Sequence, residues 1–229
     1  VAPRPRAQHP ARGPPQPAAS TPLAGELGLI VPPGRGARRQ AGSAREQLGR
    51  RTRTGRRLRV AVNVSALQLA EPDFTADVAA ALEESEIPAE ALCLEITESS
   101  VIDEAGRTLD ALRDLKSMGV SLAIDDFGTG YSSLSYLPQL PFDVLKVDKS
   151  FIDAIDTSPA HAEVVRGIVR IAGAVGMRVV AEGIEKSQQE QLLVDAECHY
   201  GQGFLYSRPV PLSKAIKFLD NSATPPHST

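Results

Sequence analysis

Alternation of strand-like and helix-like segments is the feature that most constrains the fold of this chain. From Leu58 onward, six apolar runs rich in β-branched residues are each followed by a helix-like segment, as in "LCLEITES" before "AGRTLDALRDLKSMG". Strand followed by helix, repeated, predicts parallel strands joined by right-handed crossover connections. Six units suit either a doubly wound sheet or a (β/α)8 barrel whose first units are missing or unrecognisable.

Polar side chains at the carboxyl ends of the expected strands favour the barrel. In a barrel these ends converge on one site, whereas an open sheet would spread them along an edge. Contact with water would explain a polar residue at the end of one strand. It does not explain polar residues at the same end of six strands. We therefore expect an α/β fold, a (β/α)8 TIM-like barrel incomplete at its N-terminal strands. The converging residues are Asn63, Glu95, Glu98, Asp125, Asp126, Lys146, Asp148, Glu182, Glu185 and Gln202.

The adjacent acids of "LAIDDFGTGYSS" are the most unusual of these residues. Adjacent side chains on a strand point to opposite faces, and Asp and Gly are also common in turns, so a turn is the structural alternative. Several converging carboxylates would raise one another's pKa values unless cations lay among them. Oxygen ligands without Cys or His select Mg²⁺ or Mn²⁺, and adjacent aspartates suit a pair of ions of the kind used in phosphodiester hydrolysis.

Charge and composition narrow the function classes. Residues 1–59 carry 13 Lys or Arg against 2 Asp or Glu, whereas the remainder carries 12 against 26. We expect the Pro- and Arg-rich residues 1–20 and the polar tail 220–229 to be disordered, since neither has helical or strand periodicity. No aromatic residue interleaves the N-terminal arginines, which argues against DNA or RNA as a partner.

Membrane and zinc chemistry find no support in the sequence. No apolar run approaches the roughly 18 residues of a membrane span, and the four histidines form no ligand-spaced cluster. Cys93 and Cys198 are far apart and lack a CxxC partner, as is typical of buried thiols in a reducing compartment. We therefore expect a cytoplasmic protein.

Five motifs carry a family resemblance in unbroken order. "VNVSALQL", "LEITES", "AIDDFGTGYSSLSYLPQLPFDVLKVDKSF", "VVAEGIE" and "GQGFLYSRPVP" resemble the successive motifs of the EAL domain. This resemblance implies a bacterial signalling phosphodiesterase that linearises cyclic di-GMP to pGpG. It also implies a modified (β/α)8 barrel with one antiparallel strand. The barrel domain would span residues 21–219 and is well matched from residue 58 onward.

The resemblance also implies roles for individual residues. Asn63, Glu95 and Asp125 match metal ligands, with Asp126 serving a second ion of an Mg²⁺ or Mn²⁺ pair. Lys146 matches the lysine that contacts the nucleophilic water and the phosphate, and Glu182 matches the proposed general base. The residues assigned to the substrate site are Gln202, Glu185 and Asp148. Glu98 supports the loop after Asp126, in which Gly128 and Gly130 allow movement that would couple a homodimer to metal occupancy.

The N-terminal part departs from the family pattern. The family's Glu-Ala-Leu motif, whose glutamate is a metal ligand, should precede Asn63 by several tens of residues, and alignment places Ala2 or its neighbours there. Glu26 and Glu46 are the only acids before Asn63, and neither follows a strand in an Ala-Leu context. We expect a truncated or degenerate domain with impaired hydrolysis.

Three functions remain open at this stage. The first is an EAL-type phosphodiesterase with impaired turnover, and the second is an inactive module that binds cyclic di-GMP or a partner protein. The third is an enolase-type barrel, which also presents acids to Mg²⁺ but does not explain "DDFGTGYSS". Turnover of cyclic di-GMP, against binding without turnover, separates the first two.

Overall fold

The computed structural model describes residues 59–85, 88–102, 107–129 and 134–210. The expected disordered segments 1–20 and 220–229, and residues 21–58 of the expected domain, lie outside these ranges. So does the expected last helix around "PLSKAIKFL". Within the described residues no helix combines the length and the apolar character that crossing a membrane requires.

Six parallel strands form one sheet in the order of the chain and curl into a half-barrel. Both edges of this sheet, β1 and β6, lie at the ends of the described part of the chain. The antiparallel strand implied by the resemblance is not among these six. The strands are β1 (Val60–Val64), β2 (Leu92–Thr97), β3 (Ser121–Phe127), β4 (Val144–Val147), β5 (Arg178–Glu182) and β6 (Tyr200–Gln202).

Helices connect the strands, as the alternating pattern predicts. They are α1 (Ala66–Leu69), α2 (Phe74–Ser85), α3 (Glu98–Ile102), α4 (Arg107–Ser117), α5 (Lys149–Asp153), α6 (Pro159–Ala174) and α7 (Ser187–Asp195). Short 3-10 helices lie at Ala89–Ala91 and Leu134–Gln139. The alternation also predicts a helix in "SSLSYLPQL" after β3; the described part of this segment forms the second of these 3-10 helices, which contains Pro138.

Helix boundaries follow local chemistry. In α6, the Ser158 hydroxyl accepts a hydrogen bond from the His161 N–H, and Pro159 occupies the first turn, where its missing N–H costs nothing. Gly176, with φ of +81°, turns the chain just beyond the end of this helix and leads into β5. In this way the end of α6 determines where β5 begins.

The apolar core lies between the sheet and the helices. Large apolar side chains alternate along the strands, for example Leu122 and Ile124 in β3 or Leu145 and Val147 in β4, and α4 and α6 pack against β3 and β5. The intervening residues face the inside of the half-barrel, which we call the inner face. This inner face carries the polar groups and positions the site.

Candidate active site

Lys146 lies at the centre of the inner face. Its side chain is only 4% exposed, and its Nζ lies 2.7 Å from Asp125 Oδ1, 2.8 Å from Glu182 Oε1 and 3.1 Å from Glu95 Oε1. One buried cation thus contacts three carboxylates from three other strands. The sequence interpretation assigned compensation of these charges to divalent ions, whereas a side chain of the protein supplies part of it.

Burial and charge shift the pKa values of this cluster in ways that explain one another. Burial acts to lower the pKa of Lys146, but the three carboxylates outweigh it, and the pKa lies above its ordinary value. Burial raises the pKa of Glu182, against the opposing effect of Lys146, and the negative charge of Asp125 adds to the rise. Burial therefore favours the protonated form of Glu182, whereas Lys146 stays charged.

Asp125 and Asp126 share the site although they are adjacent on a strand. Asp126 has a left-handed backbone, with φ of +54°, and the pairing of β3 with β4 shifts register between Ile124 and Phe127. An irregularity of this kind re-aims a side chain that would otherwise face away from its neighbour. The Asp126 N–H donates to Asp125 Oδ1 at 3.1 Å, and the Thr129 hydroxyl donates to the Asp126 carbonyl. The turn at Asp126 is thus what brings the two adjacent acids to the same site.

Three carboxylates are close enough to share a metal ion. One oxygen each of Asp125, Asp126 and Glu182 lies within 4.8 Å of the others. Asp125 and Glu182 are buried and Asp126 is more exposed, so the group opens toward solvent on one side. Oxygen ligands in this arrangement suit a hard divalent cation.

The other two predicted ligands lie beside this group. Asn63 and Glu95 are paired in register on β1 and β2, which places their side chains next to each other on the inner face. Glu95 contacts Lys146 but is not one of the three close carboxylates. The chain has one Glu-Ala-Leu sequence, residues 90–92, at the amino end of β2 and far from the carboxyl end that carries the site.

The residues assigned to the substrate site differ in their surroundings. Gln202 lies in register with Glu182 and donates its Nε2–H to Glu182 Oε1. Glu185 is about half exposed and pairs with Lys149, its Oε1 lying 2.9 Å from Nζ. Asp148 caps α5 by accepting a hydrogen bond from the Ser150 N–H at 2.9 Å. Only Gln202 contacts the carboxylate cluster directly.

The loop after Asp126 is attached to the body of the fold by Glu98. This buried glutamate accepts a hydrogen bond from the Gly128 N–H, with a donor–acceptor distance of 2.9 Å. Gly128 has φ of +95°, a region that side chains disfavour. Gly130 lies outside the described residues.

Two residues near the site were not anticipated from the sequence. Gln189 is 2% exposed and forms three hydrogen bonds that connect the loop after β5 to α5. It lies three residues beyond the N-cap of α7, but that cap is Lys186 and not the Ser or Thr of a capping box, so the local sequence did not indicate it. Phe151 packs its ring on the backbone of Gly128. No local pattern in the sequence indicates that contact.

Comparison with known proteins identifies relatives with the same fold. The family model described as EAL domain matches residues 3–209. The cyclic di-GMP phosphodiesterase NbdA of Pseudomonas aeruginosa is 45% identical over 163 residues, which are 71% of this chain and 21% of NbdA. The chain therefore spans about a fifth of that relative.

Solved structures agree with the family match. PaMucR phosphodiesterase, in complex with c-di-GMP, superposes with a TM-score of 0.82 at 37% identity over 92% of this chain and 84% of the other. BlrP1 of Klebsiella pneumoniae, in a manganese and c-di-GMP complex, superposes with a TM-score of 0.68 at 31% identity over 76% of this chain and 44% of the other. These similarities set aside the enolase-type barrel.

Proposed function

The chain belongs to the EAL domain family, and from this membership we propose that it hydrolyses cyclic di-GMP to the linear dinucleotide pGpG. The observation that carries the proposal is the group formed by Asp125, Asp126 and Glu182 around buried Lys146. Two divalent ions, Mg²⁺ or Mn²⁺, are the proposed cofactors. When bound, such ions offset phosphate charge and make water more acidic.

Asp125, Asp126, Glu95 and Asn63 are the residues that would hold the ions. Carboxylate and amide oxygens suit both metals, and the first two of these residues already lie together. Glu95 would reach the ions from the adjacent strand, where Lys146 now holds it. The relative BlrP1 is solved with c-di-GMP and either manganese or calcium, which supports a site for divalent ions.

The chain's own residues suit the remaining steps. Glu182, with a raised pKa and an orienting hydrogen bond from Gln202, would accept the proton of the attacking water. As water bonds to phosphorus, the bond from phosphorus to the 3′ oxygen breaks. The 3′ oxygen takes up a proton from solvent to become a hydroxyl, and the opened ring carries a 5′-phosphate. Lys146 stays charged and would stabilise the negative charge that develops on the phosphate.

Turnover by this chain is proposed to be weak. The only acids before Asn63 are Glu26 and Glu46, and neither occurs in a Glu-Ala-Leu sequence. Even residues outside the coordination shell change ion affinity by about 10–100-fold, so loss of a ligand should cost at least that much. A non-catalytic module that binds cyclic di-GMP is the second candidate, and the same missing glutamate favours it.

The experiment measures pGpG release and Mn²⁺-dependent thermal stabilisation of the 229-residue chain. Asp125→Asn and Asp126→Asn should each abolish both, whereas Asp110→Asn, which changes an exposed acid on α4, should leave both unchanged. Addition of an upstream Glu-Ala-Leu strand should raise turnover. Binding of cyclic di-GMP without pGpG release in both chains would establish the binding module. Unchanged activity of Asp125→Asn would overturn the proposed site.

The proposal also covers the assembly of the chain into a dimer and its location in the cell. A homodimer formed through the loop after Asp126 would allow a partner to influence the position of that acid, which lies at the base of the loop. A cytoplasmic location fits the nucleotide substrate. Sedimentation of the chain with and without cyclic di-GMP tests the dimer, since a monomer at all concentrations would exclude it.

A further inference from the structure

The short helix α5 contacts the two loops that follow the strands carrying metal-cluster residues. One loop follows β3, which contains Asp126 one residue before its end, and the other follows β5, which ends at Glu182. The helix contains only residues Lys149–Asp153, yet it contacts both loops by different side chains.

Phe151 supports the loop after β3. A methyl group built on Gly128 would lie 2.5 Å from Phe151 Cε2, so the ring rests directly on the glycine backbone. On its other side Gly128 donates its N–H to Glu98. The loop is therefore held between a ring and a carboxylate two residues beyond Asp126. Loss of either contact would free the left-handed turn that aims this acid.

Gln189 attaches the loop after β5 to the same helix. Its Oε1 accepts hydrogen bonds from the Glu185 and Lys186 N–H groups at 2.9 and 3.0 Å. Its Nε2–H donates to the carbonyl of Ile152 in α5 at 3.0 Å. The Gln189 side chain is 2% exposed, and its bond to Ile152 is buried and so shielded from water.

Lys149 reinforces this second attachment. Its aliphatic stem lies against Gly183, where an added methyl group would overlap Cγ. Its Nζ bridges Asp153 of its own helix and Glu185 of the loop, at 2.6 and 2.9 Å. Gly183 and Glu185 of the loop after Glu182 thus contact Lys149 of α5 directly.

We infer that α5 is a brace that sets the separation of Asp126 and Glu182, with Phe151 and Gln189 as positioning residues. Metal-binding and catalytic groups must be held within about 0.5 Å of their working positions. Two loops that moved independently would therefore not hold the cluster together. The consequence for metal binding rests on the proposed function, whereas the mechanical role of the brace does not.

Amide hydrogen exchange tests the brace without metal or substrate. In Phe151→Ala the Gly128 N–H should exchange about tenfold faster or more, because the loop opens locally, while the α6 amides keep their rates. Phe151→Leu should restore most of the protection by refilling the space. Val165→Ala removes a fully buried side chain from α6 and serves as the control for general loosening. Equal acceleration at Gly128 in Phe151→Ala and Val165→Ala would overturn the inference for this loop.

Two substitutions of Gln189 separate attachment to α5 from local capping. Gln189→Glu keeps the acceptor for the two loop N–H groups and loses the donor to Ile152, whereas Gln189→Met loses all three bonds. Both substitutions remove the bond to α5. Both should therefore weaken Mn²⁺ binding, measured by calorimetry, by about tenfold or more. Weakening by Gln189→Met alone would show that capping suffices and would overturn the brace.

Failure of the proposed function gives a different result. If the unchanged chain shows no Mn²⁺ binding, the metal site is refuted. Amide hydrogen exchange at Glu185 and Ile152 then tests the brace. Faster exchange of the α5 amides in Gln189→Glu than in Val165→Ala supports it, and equal rates refute it.

Discussion

The two faces of the same six strands are built from opposite chemistry. On the helix-covered face, Leu145 and Val147 are completely buried among apolar side chains. On the inner face, Lys146 lies between them in sequence and contacts three carboxylates. A shift of one residue along β4 therefore replaces hydrocarbon packing by a network of charges.

The difference teaches that the two faces gain stability in different ways. Apolar burial contributes about 25 cal/mol per Å² and depends little on which apolar residue is present. A buried charge network contributes only while every charge is compensated, and removal of one member leaves the others buried without a partner. The helix-covered face should therefore tolerate change gradually, whereas the inner face should respond to single changes of charge and to added cations.

The largest expected effect is that of Lys146→Met. This substitution keeps the length of the side chain but leaves Glu95, Asp125 and Glu182 without their shared cation. The free energy of unfolding in EDTA should fall by about 3–5 kcal/mol, measured by urea titration. Added Mn²⁺ should stabilise this variant more than the parent chain. A loss below about 1 kcal/mol would mean that the carboxylates are largely protonated or hydrated.

The neighbouring substitution Leu145→Ala provides the contrast. Removal of this fully buried side chain should cost about 2–5 kcal/mol through lost apolar contact and the cavity that remains. Because Leu145 faces away from the cluster, the loss should be the same in EDTA and in Mn²⁺, and the pGpG assay should change only as far as the folded fraction does. Recovery of stability on addition of Mn²⁺ would show that the two faces are not independent.

The smallest effect concerns Cys93, which lies below Glu95 on the inner face. Burial, with a further contribution from Glu95, raises the pKa of this thiol to about 12. In a Cys198→Ser chain in EDTA, its reaction with a thiol reagent should be slow at pH 8 and should accelerate about tenfold per pH unit, since the thiolate is the reacting form. Glu95→Gln should increase the rate by a small factor, whereas Glu90→Gln, at the exposed amino end of β2, should not.

The sign of the accompanying pH effect on stability follows from the same shift. The folded pKa lies above the ordinary value of 9.0, so the folded chain retains the proton longer than the unfolded chain does. The contribution of Cys93 to the free energy of unfolding is therefore constant below pH 9 and declines as pH rises from 9 toward 12. Rapid reaction of the thiol at pH 8 would contradict both expectations.

The sequence allowed much of the fold to be predicted. Strands and helices from Val60 to Gln202 follow the alternation of β-branched runs and helical periods, because burial on one face imposes a repeat that local sequence records. The barrel and the EAL family were likewise predicted and are confirmed. The metal pair, the roles of all the individual site residues, and the domain limits stay predictions.

By itself the sequence determined which residues would gather at the carboxyl ends of the strands, because parallel strands in regular alternation bring those ends together. Only the tertiary structure decided how they meet. The left-handed turn at Asp126 aims two adjacent acids at one site, and Lys146 enters among carboxylates from three other strands. The contact of Phe151 with Gly128 likewise joins residues that are 23 positions apart in the sequence. Such contacts depend on distances between segments remote in sequence, and no local periodicity records a distance in space.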